Sequence, residues 1–314
     1  MLGTLPTALA AGALSGLMVA MINLVGPIAM PFVIVAPMPT FAVALSKGLV
    51  PGLYALGAAT LVTAVVANLD LTLKYVVVFA VPQAWLMRQA LLERATPKGP
   101  EWYPPGLLIA WLVAIAAAFV GAATLAYAGS EGGLAGAMRH DIKQALELMP
   151  AVQGWSSREQ EIEILAPVLA SIMPALLANL WLLMMVTNGA MAQALVARGH
   201  NLRPSTPFAE LEMPAVLIYA LGAALVLSLL PGELGFLGRT LITIIMAAYF
   251  VFGLAVIHWI ARRIAARRAF LFAVYFLIVL LQWLAVAVLI LGLSEQVFGL
   301  RKRFFSANKG QEDE

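Results

Sequence analysis

The chain has 314 residues, of which 62% are hydrophobic and 11% charged, with a formal net charge of +3 and no cysteine. A mean hydropathy of +0.94 is too apolar for one water-soluble core, so the composition describes an integral membrane protein. Without cysteine there are no disulfides, thiol nucleophiles or thiolate metal sites, and a small net charge without a long basic run argues against a nucleic-acid partner.

A helical crossing needs about twenty apolar residues. Runs of that length are expected at 5–25, 49–69, 71–91, 106–128, 163–188, 213–231, 239–261 and 270–293, and a proline-broken run at 28–46 is a further candidate crossing. The expected fold is an all-α polytopic membrane protein of eight or nine transmembrane helices, one of them proline-broken. It reads as a single integral membrane domain over 1–300 followed by a polar tail, 301–314. The opening residues, MLGTLPTALAAGALSG, lack the basic region of a secretory signal, so the first run reads as a retained span. Along it Ala8, Gly12, Gly16 and Ala20 recur every four residues, a small-residue face on which another helix can dock closely.

The segment VGPIAMPFVIVAPMPTFAVALSKG, Val25 to Gly48, is apolar enough to cross yet holds Pro27, Pro31, Pro37 and Pro39. Proline removes a backbone donor and kinks a helix, which membrane depth tolerates only where neighbouring protein or a water-filled cavity satisfies the freed carbonyls. This segment is expected to line a cavity. Basic residues then close three loops: Arg88, Arg94 and Lys98; Arg198 and Arg203; and Arg262, Arg263, Arg267 and Arg268. Alternating crossings place all three on one face, expected to be cytoplasmic, and put Arg301, Lys302 and Arg303 on the other.

The one sizeable loop, 129–161, is rich in acids and reads as extracytoplasmic. Within it Leu134, Met138, Ile142, Leu146 and Met149 recur at helical spacing while Arg139, Asp141, Lys143 and Glu147 point elsewhere, an amphipathic helix suited to the membrane surface. Ser156 with Glu159 forms a capping box for the helix that follows. His140, His200 and His258 are far apart and show no metal-binding spacing, and no nucleophile elbow, phosphate loop or dinucleotide fingerprint is present. No enzymatic activity, metal or cofactor is therefore expected.

Amides at membrane depth are more informative, because an unpartnered amide in hydrocarbon costs several kcal/mol. Asn23, Asn68, Gln83, Asn179, Asn188 and Gln282 are the candidates, while Asp70 and Lys74 fall at a membrane edge. No acid sits securely in the middle of a span, which leaves an ion-coupled pump little to work with. Interhelical hydrogen bonding and a ligand cavity are the two uses open to these amides.

PMPTFAVALSKG (Pro37 to Gly48), MPALLANLWLLMMVTNGAMAQALVARGHNL (Met173 to Leu202) and PFAELEMP (Pro207 to Pro214), with the small-residue first helix, carry a resemblance over nearly the whole length. The chain resembles the YybS-like family of bacterial membrane proteins, distantly similar to the substrate-binding S components of energy-coupling-factor vitamin transporters. That resemblance implies a pocket open to the outside and closed by Pro27 to Thr40, in the bacterial cytoplasmic (inner) membrane. The expected pocket is mainly apolar, with Asn23, Thr40, Gln83, Trp85, Asn179 and Trp181 as candidate wall residues for a small hydrophobic or ring-bearing ligand. Two functions stand: a small-molecule-binding membrane subunit that delivers substrate with separate energising partners docked on the first helix, or a non-transport scaffold that assists assembly of envelope or membrane complexes.

Overall fold

The computed structural model describes residues 4–97, 99–148, 158–199 and 202–303. Lys98, Met149, Ser156 of the capping box, His200 and residues 304–314 of the tail lie outside them. Helices dominate: α1 (Thr4–Val25), a 3-10 turn at Gly26–Ala29, α2 (Met30–Val35), α3 (Pro37–Lys47), α4 (Leu49–Val66), α5 (Leu69–Tyr75) continuing through a π-turn into α6 (Val81–Ala90). A short hairpin, β1 (Glu93–Thr96) and β2 (Gly99–Trp102), precedes α7 (Pro105–Ala126), α8 (Gly133–Leu148) and α9 (Arg158–Val196). After a 3-10 turn at Phe208–Glu210 come α10 (Val216–Ser228), α11 (Gly232–Ala261), α12 (Arg267–Leu280) and α13 (Leu284–Phe298).

Among the described residues six helical stretches are long and apolar enough to cross a membrane: Thr4–Lys47, Leu49–Val66, Leu69–Ala90, Pro105–Ala126, Gln160–Val196 and Gly232–Ala261. Eight or nine were expected. The run at 213–231 becomes the 13-residue α10, and the run at 270–293 is interrupted between α12 and α13. Among the described residues the hairpin is the one β element. Its antiparallel register sets Arg94 opposite Glu101, whose side chains pair at 2.6 Å, with Gly99 at φ 112° supplying the left-handed turn residue.

The chain divides into two compact units, Met1–Trp111 with Leu183–Glu212, and Leu112–Leu182 with Met213–Glu314. The first unit is built on α1 and α4. A Cβ on Gly12 would strike the Ala55 carbonyl, with its carbon at 2.8 Å, and one on Gly16 would strike the Ala59 carbonyl, with the Ala59 Cα at 3.0 Å. The two backbones run parallel in direct contact, and Thr63 Oγ1, which donates to Ala59 O at 2.9 Å, lies 3.4 Å from Gly16 O. Ala8, Gly12, Gly16 and Ala20 are all buried. The face expected to receive a partner is therefore covered by α4 of the same chain, as small-residue stripes allow.

The chain then reverses. Gly26, at φ 65°, opens the 3-10 turn, and α2 and α3 return along α1 so that Ala36 packs on Val19 and Val43 on Ala8. Pro27, Pro31 and Pro37 each occupy one of the first two positions of the turn or helix they begin, where no intrahelical N–H is needed. Gly48, at φ 101°, ends α3 by donating its N–H to Ala44 O at 2.9 Å and turns the chain into α4.

In the second unit the long α11 is the axis. Gly238 lies against the Leu227 and Ser228 backbone of α10, while Gly253 meets Val288 and Gly292 meets the Tyr249 carbonyl. The pairings 253 with 288 and 249 with 292 make α13 antiparallel to α11. Arg301 thus leaves α13 at the end remote from Arg262 and Arg263, as alternation predicts for the tail. Between them α12 has no buried residue and, at 14 residues, spans about 21 Å.

The α1 and α4 contact yields a test. Gly12→Leu and Gly16→Leu each force a side chain into backbone, and each is expected to destabilise by about 1–3 kcal/mol or more. Thermal unfolding in detergent should show a lowered midpoint for each, whereas Gly57→Leu, at a glycine with open space around it, should leave the midpoint near the parent's.

Candidate functional site

The helix break at Ala36 collects polar side chains from three other helices. Asn188 of α9 donates through Nδ2 to Ile34 O at 2.7 Å and to Met184 O at 2.8 Å, and Ser15 of α1 donates to Ala36 O at 2.7 Å. Thr40 of α3 stands 2.9 Å from Pro37 O and 2.5 Å from Oε1 of Gln83 on α6. Ser15, Thr40 and Gln83 are completely buried, and Asn188 is 2% exposed. Neighbouring side chains thus take up carbonyls along the broken segment, one of the two ways membrane depth tolerates a break.

Hydrogen-bond arithmetic leaves something over. A threonine hydroxyl has one proton, yet Thr40 faces two acceptors, while Gln83 Nε2 has no partner among the described residues. Turning the Gln83 amide over resolves both: Nε2 donates to Thr40, Thr40 donates to Pro37 O, and Gln83 Oε1 becomes the unmatched atom. Asn188 Oδ1 is also buried without a partner, its two amide protons being committed to Ile34 and Met184. In either orientation of its amide, Gln83 therefore keeps one unmatched polar atom near the break, Nε2 as it stands or Oε1 when turned over, alongside Asn188 Oδ1. An unmet buried polar group costs roughly 1–3 kcal/mol.

Of the six expected wall residues, the structure brings Thr40 and Gln83 together. Asn23 is exposed at the end of α1. Trp85 is 37% exposed, its ring edge-on to Trp111 at 4.9 Å with the Arg88 guanidinium 5.8 Å from its centre, and Trp111 Nε1 donates to the Tyr103 hydroxyl at 2.9 Å. This is an interfacial aromatic group with one wet edge. Asn179 and Trp181 belong to the second unit, where Trp181 is buried edge-on to Phe119 at 5.3 Å.

Two other amides have local roles. Asn68 caps α5, accepting the Leu71 N–H at 2.8 Å, and Gln282 is exposed in the break before α13. Asp70 and Lys74 form an exposed pair at 2.7 Å. Glu295 escaped the sequence reading because it falls just past the expected final span. It is 6% exposed and accepts from Arg301 N at 3.0 Å and Nε at 2.8 Å, while the Arg301 guanidinium lies 5.2 Å from the centre of the Phe252 ring. The amphipathic helix expected in the outer loop is present as α8, with Met138, Ile142 and Leu146 half-buried. Arg139, at 2.9 Å, and Lys143 both pair with Glu163 of α9, and that hydrogen bond and charge raise the Lys143 ammonium above the ordinary lysine range. Among the described residues no three His, Cys, Asp or Glu side chains gather as a metal site.

The six helical stretches long and apolar enough to cross a membrane among the described residues define the class as multi-pass helical membrane proteins. Residues 13–294 match the family described as "Predicted membrane protein (DUF2232)", and the chain belongs to that family. No curated protein and no solved structure matches it.

The Thr40 and Gln83 pair predicts a coupled response. Thr40→Val leaves the Gln83 amide with no side-chain partner and is expected to cost about 1–3 kcal/mol, whereas the double variant Thr40→Val, Gln83→Leu removes both polar groups and should recover much of that loss. Unfolding midpoints of the two single variants and the double variant measure the coupling, and strict additivity would show that the pair does not interact.

Proposed function

We propose that the chain is a small-molecule-binding membrane subunit whose recognition centre is the break between α2 and α3. The observation that carries this reading is the pair of buried, unmatched amide atoms, Nε2 of Gln83 and Oδ1 of Asn188. Unmatched amide atoms select a compound that offers a polar hydrogen-bonding group, and the apolar helices around them select a ligand that is otherwise hydrophobic. Thr40 and Gln83 hold the polar end, and Asn188 takes the place that sequence alone gave to Asn23. The resemblance to the YybS-like family and, more distantly, to the S components of vitamin transporters supports delivery of the ligand with a separate energising partner. No catalysis is assigned.

The partner's surface moves in this proposal. Because α4 covers the small-residue face of α1, docking falls to surfaces outside the α1 and α4 contact. The second reading, a non-transport scaffold in the bacterial inner membrane, is favoured by the same break: its carbonyls are met by protein side chains, as in a core that carries no guest. The crossing count in either reading is nine, with α2–α3, α10 and the α12–α13 stretch counted as crossings beside α1, α4, α5–α6, α7, α9 and α11. The basic loops face the cytoplasm and α8 faces out.

Native mass spectrometry of the detergent-extracted protein separates the two functions. An adduct of a few hundred daltons, lost in Asn188→Leu while Trp85→Leu retains it, is expected for a binding subunit. A bare chain in stable complex with another membrane protein would instead establish the scaffold. For orientation, single cysteines at positions 94, 147 and 263 in whole cells should react with an impermeant reagent only at 147, and labelling at 263 but not at 147 would invert the topology.

A further inference from the structure

Arg203 has a position that neither reading uses. It lies in the segment between α9 and α10, is only 5% exposed, and comes from a residue type that is almost never fully buried without a counter-charge. Its Nη1 donates to Ala90 O, the last residue of α6, at 3.2 Å, and its Nη2 donates to Tyr103 O, just ahead of α7, at 2.7 Å. The main chain around it is pinned as well: Gln193 Nε2 donates to Arg203 O at 3.2 Å, and the neighbouring Leu202 N–H donates to Leu45 O of α3 at 3.0 Å. Both of these acceptors are neutral backbone carbonyls.

A guanidinium carries five N–H donors and a full charge. Two backbone carbonyls engage two of those donors and offer only partial negative charge, that of Ala90 strengthened by its place at a helix C-terminus. Burial pushes the guanidinium below the ordinary arginine range, and among the described residues no carboxylate acts against that shift. The acids close by in the fold have other settings: Glu101 is paired with Arg94 at 2.6 Å, and Glu93 is exposed on β1. More positive charge gathers at this end of the first unit. Lys47 lies in the last turn of α3, two residues past the carbonyl that holds Leu202, and Arg88 lies two residues before the carbonyl that holds Arg203. Arg88 is exposed, its Nη1 3.0 Å from Gln89 Oε1, beside the Trp85, Trp111 and Tyr103 aromatic group.

We propose that Arg203 anchors an oxyanion site at this end of the first unit, with Arg88 and Lys47 at its rim, and that a phosphate group supplies the missing counter-charge. Three N–H groups of a held guanidinium match the fork geometry of phosphate oxygens. The phosphate belongs either to an anionic lipid headgroup, seated where the aromatic group marks the membrane interface, or to a free phosphate compound from the water side. This site is independent of the unmatched Gln83 and Asn188 amide atoms at the helix break.

The test is anion-specific stabilisation of the full chain in neutral detergent. Unfolding temperature is followed as sodium phosphate replaces sodium chloride at constant ionic strength, and separately as phosphatidylglycerol replaces phosphatidylcholine in mixed micelles. A saturable rise with phosphate identifies a free phosphate compound, and a rise with phosphatidylglycerol alone identifies the headgroup. Arg203→Lys, which keeps the charge and loses the fork, and Arg88→Gln, which leaves both carbonyl bonds intact, should each weaken the midpoint concentration by about tenfold. Arg203→Gln should abolish the rise if it folds. The proposal fails if neither phosphate nor phosphatidylglycerol raises the unfolding temperature above its control. It fails equally if Arg203→Lys and Arg88→Gln both keep the parent's midpoint concentration.

Discussion

The first unit depends on two backbones touching. With Gly12 against Ala55 and Gly16 against Ala59, α1 and α4 approach so closely that no side chain fits between them. In a bilayer, lipid tails are as apolar as leucine, so helices gain little by merely hiding from the solvent and must gain by packing density and polar contacts. Close approach supplies both. It brings Thr63 alongside Gly16 O and lets α2 and α3 lie against the pair, with Ala36 and Ala59 in one buried cluster. The same device recurs in the second unit, where Gly253 and Gly292 bring α13 onto α11. Neither unit needs a large hydrophobic side chain at its closest contact.

That geometry also explains how a helix with four prolines survives at membrane depth. Three of them begin a turn or helix, where their missing N–H costs nothing, and the stretch around Ala36 is served by Asn188, Ser15 and Thr40. Each of these side chains is held by a different helix. The break is therefore a junction that reports on the placement of its neighbours, and a shift of α9 or α6 would expose a carbonyl or strand an amide. A polar junction of this kind is costly in a bilayer unless it is fully matched. The unmatched amide atoms of Gln83 and Asn188 make it the place where a polar group from outside the chain gains most.

Much of the helical layout was legible because hydropathy and length are read directly from residues: α1, α4, α7 and the end of α11 fall within a few residues of expectation, whereas α11 begins at Gly232, ahead of the expected 239. The break at 28–46 was legible from its prolines, although its satisfaction by side chains was not, since that depends on which helices pack against it. Thr40 and Gln83 are 43 positions apart and carry no spacing signal, so only the return of α3 and α6 into one layer brings them together. Asn188 could be recognised as an amide at depth but not assigned to the site. Arg203 read as one more cytoplasmic positive charge, because burial of a loop residue leaves no trace in local composition. The hairpin at 93–102 was missed for want of β-branched alternation in ERAT and GPEW.

The lengths of neighbouring helices in the second unit have a consequence for how they fit a bilayer. At about 1.5 Å per residue, the 30-residue α11 reaches about 45 Å while its antiparallel partner α13, at 15 residues, reaches about 22 Å. A hydrocarbon layer is about 30 Å thick. α11 alone exceeds that layer and α13 alone falls short of it, so only α12 and α13 together, 14 and 15 residues on either side of their break, make up the return length. A crossing divided in this way adjusts its hydrophobic length by bending at the break, where the continuous α11 adjusts by tilting.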